Sequence, residues 1–211
     1  MAYDLEEQEQ IETLKAWWSD HGKLVVAIAI AGALAVSAVQ GWRYYSAQQA
    51  ERAATLYLQL GEAERTNDAK RVRDIASQII ARHSSTQYAG MAALTAAKAG
   101  VGTGEVEEAK KNLQWVVENA KEAQMRDVAR LRLAGVLLDE KKFEDALKLL
   151  SNQPADSYAM LYADMRGDVL TGQDKVTEAR AAYQLALEKS EATSSYRRLI
   201  EVKLDALGEA K

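Results

Sequence analysis

From Leu24 to Trp42 the chain runs nineteen residues without a charge, LVVAIAIAGALAVSAVQGW. A helix of that length rises ~28 Å at about 1.5 Å per residue, close to the ~30 Å hydrocarbon core of a bilayer. The flanks suit an interface, with Trp17, Trp18 and Lys23 before the run and Trp42, Arg43, Tyr44 and Tyr45 after it. Indole and phenol rings settle at headgroup level, and lysine or arginine snorkels there. The expectation is one membrane-spanning helix with lipid around residues 24–42. A buried core helix would normally keep some polar positions and lack aromatic bookends. A cleaved signal sequence is the other rival, and Ala33-Leu34-Ala35 has a suitable small-residue pattern. That triplet lies inside the apolar run, however, and the preceding segment is acidic where a signal is basic.

Residues 1–23 hold Asp4, Glu6, Glu7, Glu9, Glu12 and Asp20 against Lys15 and Lys23. Ile11, Leu14 and Trp18 share one helical face there, so an acidic amphipathic helix is expected, suited to a protein partner or to the membrane surface. Basic residues near the span nearly tie, Lys15 and Lys23 against Arg43 and Arg52, and the positive-inside rule leaves its orientation open. With 31 acids and 27 bases in the whole chain, residues 24–211 carry no net charge. A neutral domain without a basic stripe lacks the electrostatic footprint of nucleic-acid binding.

One proline and an abundance of alanine, leucine, glutamate and lysine favour helices, and no strand-like run follows residue 45. The fold class read from this pattern is all-α. A helical-hairpin unit recurs three times, marked by a small residue followed twelve positions later by alanine. The pairs are Ala97 and Ala109, Ala134 and Ala146, Gly167 and Ala179. Their offsets approach the 34-residue period of tetratricopeptide repeats, where close helix crossings demand small side chains. Hairpins are expected at about 47–82, 90–117, 127–154 and 160–187, with a capping helix at about 194–207. The turn Gly100 to Gly104 superficially suggests a phosphate loop, but no strand precedes it and no Gly-Lys-Ser/Thr follows.

Stacked hairpins leave a concave face lined by their first helices. Register from the small residues places Met91, Leu94, Lys98 and Val101 there, then Val128, Leu131, Gly135 and Leu138, then Leu161, Asp164, Asp168 and Thr171. Seven of the twelve are apolar: Met91, Leu94, Val101, Val128, Leu131, Leu138 and Leu161. A groove of this kind takes an apolar or amphipathic segment, unless a neighbouring hairpin or the capping helix covers it. No catalytic or cofactor-binding constellation accompanies it. His21 and His83 have no neighbours at metal-ligand spacing, and the absence of cysteine removes thiolate sites and disulfides. The expectation is a binding module without a cofactor, a metal or an enzymatic activity.

The segments QIETLKAWWSDHGK (10–23) and GWRYYSAQQAERAA (41–54) bracket the apolar run. With VARLRLAGVLLDEKKFEDALKLL (128–150) and DMRGDVLTGQDKVTEARAAYQLAL (164–187), they resemble the YfgM-like ancillary subunits of the bacterial SecYEG translocon. The glycine-rich turn at 100–104 departs from that likeness. The resemblance spans nearly the whole chain and implies an inner-membrane protein with residues 1–23 in the cytoplasm and residues 43–211 in the periplasm. It implies partnership with the SecYEG translocon, with a PpiD-like periplasmic chaperone and with exported client polypeptides passed between them. Two alternatives come from other classes: a self-associating organiser of envelope or division machinery, and an envelope-stress regulator holding a cytoplasmic partner through residues 1–23.

Overall fold

A computed structural model describes residues 2–191 and 193–208, with side chains from residue 9 onward. The side chains of Asp4, Glu6 and Glu7 lie outside the described residues. These residues form nine α-helices and a single 3-10 turn, and no strand occurs among them. Two compact units divide the chain, Met1–Gln48 and Gln49–Lys211.

The first helix, α1 (Ala2–Arg65), runs through the acidic segment and the apolar stretch and contributes its last turns to the second unit. The sequence reading treated the acidic segment as a separate helix. No proline interrupts residues 2–65, and isolated glycines such as Gly22, Gly32 and Gly41 each cost a helix only ~1 kcal/mol. Within the apolar stretch Leu24, Ile28, Ile30, Leu34, Val36 and Val39 are each more than half exposed. A stretch of mean hydropathy 2.2 with nothing packed on it is no core helix. By length and composition it is a candidate membrane span.

In the second unit the end of α1 pairs with α2 (Ala69–Arg82), and three further hairpins follow. They are α3 (Gln87–Thr103) with α4 (Val106–Asn119), α5 (Ala123–Asp139) with α6 (Phe143–Leu150), and α7 (Ala159–Gly172) with α8 (Val176–Lys189). A last helix, α9 (Ser195–Ala206), closes the array. One turn geometry is used four times. Asn67, Gly104, Lys141 and Asp174 each adopt a left-handed conformation. The residue after each donates its N–H five positions back: Asp68 to Ala63, Glu105 to Gly100, Lys142 to Leu137, Lys175 to Leu170. This is the Schellman arrangement, which satisfies carbonyls that a helix end would leave open. At Gly104, with φ of 81°, a side chain would be strained; asparagine, lysine and aspartate tolerate the same region elsewhere.

The small-residue pairs sit where helices cross. Ala97, Ala109, Ala134, Ala146, Gly167 and Ala179 are all buried. Large side chains fill the intervening levels in successive clusters: Leu60, Val72 and Ile79, then Leu113, Val116 and Leu133, then Leu150, Tyr162 and Val169, then Tyr183 and Ile200. One boundary differs from the expectation. α6 ends at Leu150, whereas the sequence pattern carried its hairpin to residue 154. Pro154 lacks an N–H and drives the residue before it out of the helical region, so the chain leaves the helix early and re-enters through a 3-10 turn at Asp156–Tyr158.

Candidate protein-binding surface

The positions assigned to a groove on the first helices are only partly open. Met91, Leu94, Val128, Leu131, Leu138 and Leu161 are half-buried, and Val101 alone among the seven is exposed, at 49%. Leu94 packs on the cluster around Ala93 and Leu113. Leu131 and Leu138 pack on that around Ala134 and Tyr162. Lys98 is engaged with Glu64 at 2.9 Å.

Toward the last hairpin this line of positions lies under α9. Lys203 Nζ donates to both oxygens of Asp164 at 2.9 Å and to Asp168 at 2.8 Å. Tyr196 donates to Asp164 at 2.9 Å, and Tyr183 donates to Asp168 at 2.8 Å. Asp164 is only 2% exposed, so its charge depends on these partners. Burial and the neighbouring carboxylates push the Tyr183 and Tyr196 phenols up to about 12. Burial opposes the charge of Lys203, but its bonds to Asp168 and Asp164 outweigh that, and its ammonium is held above its ordinary range. The covering helix that the sequence left as an alternative is therefore present at this end.

The roomier surface lies on the second helices. Between α4 and α6, floored by α5, an open cleft of about 730 Å³ is lined by Trp115, Leu133, Leu137 and Leu149. Its rim carries Lys110, Lys111, Glu118, Asp145 and Lys148. Of the second helices, α6 has 8 residues where α4 and α8 have 14. The missing residues amount to about 9 Å of helix at ~1.5 Å each. The segment that replaces them is pinned aside: Asp127, 2% exposed, accepts the Ala155 N–H at 3.0 Å, the Arg130 guanidinium at 3.0 Å and the Tyr162 hydroxyl at 3.2 Å. Burial raises the Tyr162 phenol to about 12 against the pull of Arg130. On the rim, Lys110 is fixed by Glu107 at 2.6 Å and Glu140 at 2.7 Å, which raise its ammonium further. The same pairing, joined by Lys142, holds the Glu140 carboxyl below its ordinary range. A second open cleft on the other flank of α6 is lined by Leu147, Ala163, Leu170, Ala182 and Leu185. Apolar floors with balanced charged rims fit an uncharged or amphipathic stretch of polypeptide.

The profile of the tetratricopeptide repeat-like domain family matches residues 15–209. The ancillary SecYEG translocon subunit of Neisseria gonorrhoeae is 31% identical over 98% of this chain and the whole of that protein. The proteins of the same name from Escherichia coli and Haemophilus influenzae are 28% and 27% identical, over 95% and 88% of this chain and 96% and 91% of their own. The chain belongs to this family. No solved structure matches it.

As in the sequence reading, this family member pairs a repeat-like domain with one long apolar N-terminal helix, which fits a single-pass inner-membrane protein. Around that apolar stretch Trp17, Trp18, Trp42, Tyr44 and Tyr45 are exposed, as are Lys23 and Arg43. Trp17 stacks on His21 at 5.3 Å, and Trp42 tilts toward Tyr45 at 6.3 Å. Among the described residues no cluster of His, Cys, Asp or Glu is arranged to hold a metal ion. Sequence reasoning passed over Trp115, Leu137 and Leu149. The signal available was a tryptophan in the second helix of a repeat, facing a unit whose second helix is cut short by Pro154.

Proposed function

We propose that this chain is a non-enzymatic, membrane-anchored protein-binding module that works at the SecYEG translocon and helps exported polypeptides pass to a PpiD-like periplasmic chaperone. Residues 1–23 lie in the cytoplasm, residues 24–42 cross the inner membrane, and residues 43–211 form the periplasmic repeat domain. Trp17, Trp18, Lys23, Trp42, Arg43, Tyr44 and Tyr45 anchor the span at the two interfaces. The observation that carries the reading is the cleft over Trp115, Leu133, Leu137 and Leu149, an apolar recess in a neutral helical-repeat domain of this family. Binding through this cleft needs little affinity, because attachment to the same membrane raises the local concentration of domain and channel. Met91, Leu94, Val101, Val128, Leu131, Leu138 and Leu161 on the first helices are the competing face.

Affinity purification of the tagged full chain from gently solubilised inner membranes tests the reading. It predicts co-recovery of the SecYEG subunits and of a PpiD-like chaperone. Recovery of the chain free of translocon from membranes rich in it would contradict the proposal.

A further inference from the structure

The array contains an odd number of helices in its repeat unit, and the last one has no mate. Through Ile200 and Leu204, α9 packs on the cluster around Leu170, Tyr183 and Ala186. Its opposite face is uncovered. Leu199 and Val202 are 47% and 60% exposed, and Ala206 is exposed beside them. At positions i, i+3 and i+7 these three form one stripe. Leu199 points away from the cluster that holds its neighbour Ile200. Terminal helices of repeat arrays ordinarily carry a polar outer face, so this stripe stands out.

The charges beside the stripe identify what fits it. Arg198 and Asp205 are exposed and lie along one edge of it, seven residues apart, and neither forms an ion pair among the described residues. Glu201, by contrast, is engaged by Arg197 at 3.1 Å. When two identical helices pair antiparallel about a two-fold axis, like edges face each other. An axis passing between residues 201 and 202 sets Arg198 of one copy opposite Asp205 of the other, twice, and brings the two Val202 side chains together. The repeat domain carries no net charge to oppose such an approach. We propose that the exposed face of α9 pairs with α9 of a second copy of this chain, antiparallel, with Val202 at the centre and two Arg198–Asp205 pairs at the margins. The patch is small, so the pair is weak in solution and forms between copies held in one membrane. The pairing does not rest on the translocon reading.

The natural chain has no cysteine, which permits a clean test in the full-length protein in native membranes. Val202→Cys is compared under mild oxidation with Leu58→Cys, a position on α1 that is more exposed still, at 76% against 60%. The proposal predicts a disulfide-linked homodimer through residue 202, since Cα atoms near a two-fold axis fall within bridging distance, and little through residue 58. Adding Arg198→Asp to Val202→Cys lowers the dimer yield roughly three- to tenfold by setting like charges opposite each other, and adding Asp205→Arg as well restores it. Equal yields from residues 58 and 202 would overturn the proposal. So would failure of the double charge exchange to restore pairing, or capture of only a different protein through residue 202.

Discussion

Replacing Gly167 with alanine tests the close crossing of α7 and α8. A methyl group built there lies 2.3 Å from Cε1 and 2.4 Å from Cδ1 of Tyr183, where ordinary contacts are 3.4–4 Å. The ring must retreat by about 1 Å, and it is not free to do so. Tyr183 is buried, and its hydroxyl is fixed by Asp168 at 2.8 Å and by Thr171 at 3.3 Å. Overpacking costs ~1–3 kcal/mol, and weakening a hydrogen bond to the half-buried Asp168 carboxylate adds on the order of 1.5 kcal/mol. Better helix propensity returns ~1 kcal/mol. The net expectation is a loss of about 2–3 kcal/mol. For a domain of this size that lowers Tm by roughly 4–12 °C, readable by circular dichroism on residues 49–211. Gly102→Ala is the control, because nothing lies within 4 Å of the added atom. It should be neutral or slightly stabilising. An unchanged or higher Tm for Gly167→Ala would refute the argument that α7 and α8 meet through this glycine.

High pH should unfold the domain through its buried phenols. The folded pKa of Tyr162 and Tyr183 is about 12 against an unfolded value near 10, so their contribution is complete below pH ~10 and is lost between pH ~10 and ~12. That amounts to on the order of 2 kcal/mol each, and a urea midpoint that stays flat across this range would count against it. Asp127→Ala strands the Ala155 N–H and Arg130, and should cost ~2–4 kcal/mol while speeding amide exchange at residues 151–158. Exchange unchanged there would mean that another contact pins the segment. Leu137→Asp puts a charge on the half-buried cleft floor and should abolish capture of partners while leaving the membrane fraction of the protein unchanged; undiminished capture would exonerate the cleft.

Much of the fold was legible because it depends on local pattern. A nineteen-residue uncharged run with aromatic flanks, and small residues twelve apart, are properties that a sequence displays directly. The burial of Ala97, Ala109, Ala134, Ala146, Gly167 and Ala179 follows from the same geometry that spaces them. The binding surface was harder to read because it depends on long-range events. Nothing near Asp164 announces that Lys203, on a helix packed in from downstream, lies over it. The cleft beside Trp115 is lined by residues of α4, α5 and α6 that are far apart in the chain, and their meeting leaves no mark on the hydrophobic period of any one helix. The outward face of Leu199 is hard to read for a related reason: on a twelve-residue helix with apolar positions on two faces, periodicity alone does not say which face the array covers.

Site-specific photocrosslinking in living cells, from Trp115, Leu137 and Leu149 in the cleft and from Leu94, Leu131 and Leu161 on the first helices, tests the central claim most directly. The account predicts adducts to translocon subunits, to a PpiD-like chaperone or to exported chains from the cleft positions. Silence there, with capture of those same partners from Leu94, Leu131 or Leu161, would contradict it and return the binding surface to the first helices.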